Sequence, residues 1–157
     1  MHKIIISAAI AAFLIAPAAQ AQDPNICPVL RTVLDASIMH FKSIKGKKIE
    51  SDEWKVTSNL PYADNCQIDN VLAPEIRYKC FFSSSDHSAT PATLKAMGDN
   101  YADNIGACRP ELTRTSSEFI LSQYSNQTTE FKDASGVRVD VTVFSDFFTV
   151  GVYEPQS

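Results

Sequence analysis

The sequence has no surplus of basic residues. Lys and Arg number 14 against 18 Asp and Glu, which gives a formal net charge of −4 at pH 7. A nucleic-acid-binding protein usually has a net basic surface, because neutralising phosphates supplies much of its affinity. The basic cluster in residues 42–48 is followed at once by acidic residues, and we interpret it as a solvated helix end and loop. We therefore expect no nucleic-acid partner.

The chain also lacks the spacings that hold metals. It has three histidines, and none of its four cysteines forms a C-x-x-C motif. Residues 99–104 have the acidic and amide content of a calcium loop, but they lack its glycine and terminal glutamate. We therefore expect no metal and no cofactor.

No catalytic constellation stands out. The chain has no G-x-S-x-G motif, and the spacing of Asp64, Asp69, Asp99 and Asp103 selects no catalytic pair of carboxylates. Ser85-Asp86-His87 is a candidate site for a hydrolase, although a polar loop leading into a helix has the same composition. His40 is interpreted as a partly packed helix residue. Whether the protein is an enzyme stays open, and the sequence leans towards a non-enzyme.

The N-terminal segment has the features of a secretory signal peptide. A charged tip precedes an apolar run from Ile4 to Ala16, and Ala19 and Ala21 occupy the A-x-A positions. The run is shorter than the roughly 20 residues that span a bilayer. We expect residues 1–21 to be removed after Ala21, leaving one domain, residues 22–157, in the bacterial periplasm or outside the cell. The mature chain should have no membrane anchor.

Two amphipathic helices are predicted. Apolar residues recur every three or four positions between Cys27 and Lys45, and Gly46 should end that helix. Thr90-Pro91 is a typical helix start, and the second helix should end at Pro110. Its predicted apolar stripe consists of Leu94, Met97, Tyr101, Ile105 and Cys108.

The remaining segments alternate between apolar and polar residues, as strands do. Examples are residues 53–58, 66–68, 76–82 and 137–143, the last with a valine at every second position. A polar pair, Ser145-Asp146, should join the last two strands in a hairpin, and a turn at Ser125-Asn126-Gln127 should join another pair. We predict an α+β domain: an antiparallel sheet of about six strands, in the order α-β-β(-β)-α-β-β-β-β, with both helices on one face.

Four cysteines in an exported chain indicate two disulfides. A turn at Ala73-Pro74 would place Cys66 opposite Cys80, which leaves Cys27 to pair with Cys108 if the helices are antiparallel. The rival pairing joins Cys80 to Cys108 and Cys27 to Cys66. We favour the first pairing.

Paired phenylalanines suggest a binding surface. In a strand, Phe81 and Phe82 point to opposite faces, and so do Phe147 and Phe148, so one ring of each pair must lie away from the helices. Rings that cluster there, with Phe81 and Phe147 as the candidates, would form a partner surface. We therefore expect a non-enzymatic module that binds another envelope or secreted protein through its sheet face, as an inhibitor, immunity factor or envelope adaptor does. The alternatives are the hydrolase and a carrier of a small apolar ligand.

Overall fold

The computed structural model describes residues 26–70, 75–83, 90–121 and 124–155. The expected signal peptide, the Ala73-Pro74 turn and the Ser85-Asp86-His87 segment lie outside these residues. The elements in chain order are α1 (Ile26–Ser37), β1 (Lys45–Glu50), β2 (Glu53–Val56), β3 (Asn65–Asp69), β4 (Arg77–Phe82), α2 (Pro91–Cys108), β5 (Thr113–Leu121), β6 (Tyr124–Lys132), β7 (Arg138–Val143) and β8 (Phe148–Tyr153).

All eight strands form one antiparallel sheet with the order β1-β2-β3-β4-β8-β7-β6-β5. Each half of the domain is a helix followed by a four-strand meander, and the halves join where β4 pairs with β8. The predicted α+β class is confirmed. The expected number of about six strands was too low.

The segment at Lys45–Glu50 is a strand, not the predicted helix end and loop. It pairs with β2, with register shifts on both sides of Lys48. The Lys45 ammonium lies 3.8 Å from the centre of the Trp54 ring, so a cation–π contact holds a basic residue on the sheet. A run of lysines hides the apolar alternation by which strands are recognised, which is why β1 was missed.

The first helix ends at Ser37, well before the predicted end at Gly46. Backbone hydrogen bonds of the turn type follow, and His40 and Phe41 have positive φ angles of 54° and 56°. The turn leaves Ile38 62% exposed but returns Phe41 and Ile44 to the core. The helical spacing of Phe41 and Ile44 was therefore coincidental.

The second helix begins as predicted, with the Thr90 hydroxyl accepting a hydrogen bond from the Thr93 amide. Its apolar stripe differs from the prediction at one position, because Met97 is 41% exposed while the neighbouring Gly98 is buried. A Cβ at Gly98 would lie 2.5 Å from Val143 Cγ2, so the glycine allows the helix to approach β7 closely. This close contact with the sheet explains why α2 contains Gly98, although a glycine by itself weakens a helix.

Residues of β4, β7 and β8 alternate between two faces of the sheet. Tyr78, Cys80, Phe82, Phe148, Val150 and Val152 share the core face with three valines of β7, and all are buried in one cluster with buried apolar residues from both helices. The opposite face, called the outer face below, consists of the intervening residues of β3, β4, β7 and β8.

The two disulfides are Cys27–Cys108 and Cys66–Cys80, the pairing favoured from sequence. Cys66 and Cys80 face each other across β3 and β4. The other bond joins the first turn of α1 to the last residue of α2. Two disulfides are therefore confirmed.

Two hairpins of the second half were predicted with different success. Ser145-Asp146 connects β7 to β8, where the Phe144 amide donates a hydrogen bond to the Phe147 carbonyl at 2.9 Å. The turn expected at Ser125-Asn126-Gln127 is wrong, because these residues lie inside β6, which begins at Tyr124. Their polar side chains had suggested a turn.

Candidate functional site

The outer face consists of three rows of side chains that cross the central strands. Hydrogen-bonded register places Asp69, Arg77, Tyr153 and Arg138 in the first row. Gln67, Lys79, Gly151 and Asp140 form the second row. Asn65, Phe81, Thr149 and Thr142 form the third. The first row, with three charged residues, marks the polar end of this face, and the third row, which contains Phe81, marks the aromatic end.

Four phenylalanine rings form a chain of contacts at the aromatic end, called the ring cluster below. The centroids of Phe81 and Phe147 are 6.3 Å apart, and those of Phe147 and Phe144 are 4.5 Å apart in a stacked arrangement. Phe119 meets Phe144 edge-on at 6.4 Å. The first three side chains are half-buried and Phe119 is 38% exposed, so apolar area remains accessible to solvent.

One polar residue in the same row as Phe81 is buried. Thr149 lies in register with Phe81 and Thr142, and it is only 3% exposed. A threonine in the middle of an outer face would ordinarily contact water, so neighbouring side chains must cover it. The contacts between neighbouring rings join the ring cluster into one apolar layer rather than scattered surface residues.

A hydrogen-bonded network occupies the polar end. Arg77 makes a bidentate contact with Asp69, with Nη2 at 3.0 Å from both carboxylate oxygens. The Tyr153 hydroxyl donates to Asp140 Oδ2 at 2.6 Å, and the Gly151 amide donates to Oδ1 at 3.1 Å. Arg138 covers the Tyr153 ring, with its guanidinium carbon 3.7 Å from the ring centre. These contacts hold the side chains in fixed positions.

The network shifts the pKa of its members. Burial raises the pKa of Asp140, and the hydrogen bonds from Tyr153 and Gly151 offset this only in part. Burial and the neighbouring Asp140 charge raise the pKa of Tyr153. Burial would lower the pKa of Arg77, but the hydrogen bonds and charge of Asp69 outweigh it and the pKa rises. Burial and hydrogen bonding thus move the pKa of all three groups away from their ordinary values.

Lys79 lies between the network and the ring cluster. Its Nζ is 4.8 Å from the centre of the Phe81 ring. Burial, and then the nearby Arg77 charge, lower its pKa. A cavity of about 120 Å³ opens beside it, lined by Arg77, Lys79, Asp140, Thr142, Phe144, Thr149, Gly151 and Tyr153. Lys79 thus presents positive charge at the edge of an apolar surface.

A larger cavity, of about 310 Å³, lies beside the start of α2 and shares Phe144 with the ring cluster. Pro91, Ala92 and Lys95 form its helical wall. Residues from the ends of β5, β6 and β7 form the opposite wall, including Glu118, Gln127 and Val143.

The other residues considered from sequence do not come together. Asp99 pairs with Lys95 and Asp103 with Arg114, each at 2.6 Å, while Asp64 accepts hydrogen bonds from Ser83. The prediction that His40 is a partly packed helix residue is wrong. His40 lies in the exposed turn after α1, with Nδ1 2.5 Å from Glu154 Oε2. Among the residues described, no group of three His, Cys, Asp or Glu is placed to hold a metal ion.

The sequence predicted a surface at Phe81 and Phe147, whose rings are in contact in the structure, but it did not single out Asp140, Tyr153 or Lys79. Asp140 lies between two valines of β7, where strand alternation marks it only as polar. The available signal was Gly151, a glycine inside an apolar strand, which often indicates a close approach of another group.

Comparison with known proteins gives no relative: no protein-family model, curated protein or solved structure matches this chain. Within the described ranges, no helix is long and apolar enough to cross a membrane.

Proposed function

We propose that the mature chain is a non-enzymatic periplasmic or secreted module that binds another protein through the outer face of its sheet. The observation that carries the proposal is the contact between Phe81 and Phe147, which joins two separate strand ends into one aromatic surface. Both helices belong, on this proposal, to the core face, so that the outer face is left for a partner.

The physical properties of the ring cluster support a protein partner. Aromatic side chains bury large areas at little cost in side-chain entropy, and they dominate the energetics of protein interfaces. A cavity of about 120 Å³ beside the cluster is small compared with the roughly 300–1,000 Å³ of ordinary ligand sites. A shallow apolar surface with a small polar recess suits an inserted side chain better than a whole ligand.

Charge indicates the chemistry of the partner. Lys79 places a cation at the border of the ring cluster, where burial already disfavours its charge and lowers its pKa. A carboxylate on the partner would stabilise that charge as the interface closes and excludes water. We therefore propose a partner that presents apolar side chains next to an aspartate or glutamate.

The test is affinity capture from the native envelope fraction, with the mature, oxidised protein as bait. The matched variants are Phe81→Ser with Phe147→Ser, and, as a control, Met97→Ser, which removes exposed apolar area from α2. A partner identified in this way is then purified and its affinity measured. Losing both rings should weaken binding by at least about tenfold, since interface aromatics commonly contribute more than 1 kcal/mol each.

Lys79→Glu should weaken the same complex, and Met97→Ser should leave the affinity unchanged. Retention of full affinity by the double serine variant, with its fold intact by circular dichroism, would exclude the outer face as the binding site. Absence of any captured protein would also count against the proposal.

The cavity beside α2 supports a second candidate, the carrier of a small apolar ligand. Its volume of about 310 Å³ is at the lower end of the range for ligand sites, and Pro91, Ala92, Val143 and Phe144 give it apolar walls. Ala92→Trp would fill this cavity from its helical wall without replacing any residue of the ring cluster. Ligands extracted with the wild-type protein but absent from this variant, together with unchanged capture of proteins, would favour the carrier.

A further inference from the structure

The two edges of the sheet differ in how well they are protected. At one edge, β1 has register shifts on both sides of Lys48, and lysines occupy three of its six positions. Irregular, lysine-rich edges discourage pairing with a further strand. The β1 edge is therefore protected against association.

The opposite edge has none of these features. Strand β5 has nine residues, contains neither lysine nor proline, and pairs with β6 without a register shift. Its side chains from Thr113 to Ile120 are exposed, Ile120 by 82%. In the described part of the chain, β5 ends the sheet and has β6 as its one neighbour. A long, regular edge of this kind is a template for another strand.

We propose that β5 pairs with β5 of a second copy of this chain, antiparallel and about a two-fold axis at Ser116. In an antiparallel ladder, the side chains of two directly opposite residues point to the same face of the sheet. The two-fold axis of such a dimer must therefore pass between the two copies of one residue, which face each other. An axis at Ser116 places Arg114 of each copy opposite Glu118 of the other. The ladder is thus self-complementary in charge.

The neighbouring registers lack this complementarity. An axis at Thr115 would place Arg114 opposite Ser116, and an axis at Ser117 would place it opposite Ile120. Opposite charges across a ladder stabilise the pairing, and a mismatched register loses both ion pairs of the dimer. Charge therefore selects the register at Ser116.

The Arg114 side chain can bind Glu118 of the other copy without losing its present ion pair with Asp103. It donates to Asp103 Oδ1 at 2.6 Å, in an ion pair whose two side chains are 42% and 53% exposed. A guanidinium has five N–H donors, so Arg114 can bind a second carboxylate at the same time. Exposed ion pairs contribute little to stability, so reorienting the Arg114 side chain costs little free energy.

The proposed dimer is closed and leaves Phe81, Phe144 and Phe147 of each ring cluster outside the paired β5 strands, while Phe119 of each copy faces Thr113 of the other. Pairing uses each β5 edge once, and the outward β1 edges are protected, so association stops at two copies. The two-fold axis is perpendicular to the sheet, which places both outer faces on the same side. The dimer would present the proposed binding surface twice, but its existence does not depend on that function.

The oligomeric state of the mature, oxidised protein tests the proposal, measured by sedimentation equilibrium from micromolar to millimolar concentration. We expect a monomer–dimer equilibrium. Glu118→Arg and Arg114→Glu should each weaken the dimer by at least about tenfold, because each places like charges opposite one another. An equimolar mixture of the two variants should dimerise again, since every reversed charge then faces an opposite one.

Lys48→Glu, at the protected edge, is the matched control and should leave dimerisation unchanged. Monomeric protein throughout the concentration range would overturn the proposal, and so would a mixture that stays monomeric although both variants are folded.

A cysteine cross-link tests the register separately. Ser116→Cys places two thiols opposite each other at the axis, so mild oxidation should give a covalent dimer. Ser117→Cys is the control, because that residue faces Thr115 of the other copy. Equal cross-linking of both variants would exclude the proposed register.

Discussion

Gly151 lies directly opposite Asp140 across the β7–β8 ladder and donates its amide hydrogen to Asp140 Oδ1 at 3.1 Å. The carboxylate fills the space above the glycine. A Cβ at this position would lie 2.6 Å from Oδ1 and 3.1 Å from Cε2 of Tyr153. The network on the outer face therefore depends on the absence of a side chain at residue 151.

Gly151→Ala should lower the free energy of unfolding by about 1–3 kcal/mol, because it forces Asp140 or Tyr153 to move. Gly106→Ala is the matched control. Its Cβ would meet the Phe131 ring at an ordinary 3.5 Å, and alanine favours the helix by up to about 1 kcal/mol. Urea unfolding of both variants checks this. Equal effects of the two substitutions would contradict the steric argument.

The raised pKa of Asp140 makes its contribution to stability depend on pH. The folded protein holds this proton more tightly than the unfolded chain, in which the carboxyl pKa is near 3.8. The contribution of Asp140 is therefore most favourable at acid pH and declines as the pH rises above that value. The difference in free energy of unfolding between wild type and Asp140→Asn should decrease between about pH 3 and pH 7.

Asp133→Asn provides a control with the opposite sign. Hydrogen bonds from the Ser135 hydroxyl and from backbone amides lower the pKa of Asp133, so its stabilisation is present at neutral pH and is lost on acidification. The difference in free energy of unfolding between wild type and Asp133→Asn should therefore increase with pH. Parallel slopes for the two variants would show that burial does not set the pKa of Asp140.

Gly98→Ala should destabilise the domain by about 1–3 kcal/mol, although alanine is the better helix former. The reason is the 2.5 Å distance that its Cβ would have to Val143 Cγ2. The double variant Gly98→Ala with Val143→Ala removes that methyl group. It should be less unstable than the sum of the two single variants, as a double-mutant cycle of thermal unfolding will show.

The two disulfides should contribute unequally to stability. Cys27–Cys108 joins residues 81 apart in sequence, and Cys66–Cys80 joins residues 14 apart. Chain entropy predicts losses of about 4.5 and about 3 kcal/mol when each is replaced by two alanines. Denaturant unfolding of both variants measures the losses. A larger loss from Cys66–Cys80 would show that packing between β3 and β4 outweighs the entropy of the loop.

Strand alternation predicted the last hairpin of the fold, and the order of elements gave the favoured disulfide pairing. The valines of β7 and the Ser145-Asp146 turn gave the last hairpin, and the same alternation placed Phe81 and Phe147 away from the core. These inferences succeeded because each depends on the period of the strand alone. The preferred disulfide pairing followed from the antiparallel arrangement of neighbouring elements.

The errors occurred where tertiary contacts override local pattern. Lys45 and Lys48 of β1 lie over the Trp54 ring. The polar residues 125–127 belong to a strand because all three pair with β5 and Gln127 also pairs with β7. Helix α1 ends early because a turn with two positive φ angles directs Phe41 back to the core. The polar network around Asp140 could not be predicted, since its members come together only when β4, β8 and β7 are adjacent.

The pairing of β4 with β8 has a consequence for how the chain acquires its fold. In register, Cys80 lies beside Val150, so the pairing at the centre of the sheet joins the end of the first meander to β8, the last strand in the described part of the chain. When the chain becomes available from the N-terminus onwards, the first meander and the Cys66–Cys80 disulfide can form early. One edge of β4 stays unpaired until β8 is present. Neither half can complete its core alone. Pairing of β8 with β4 joins the two incomplete halves, so the two halves should fold as one cooperative unit.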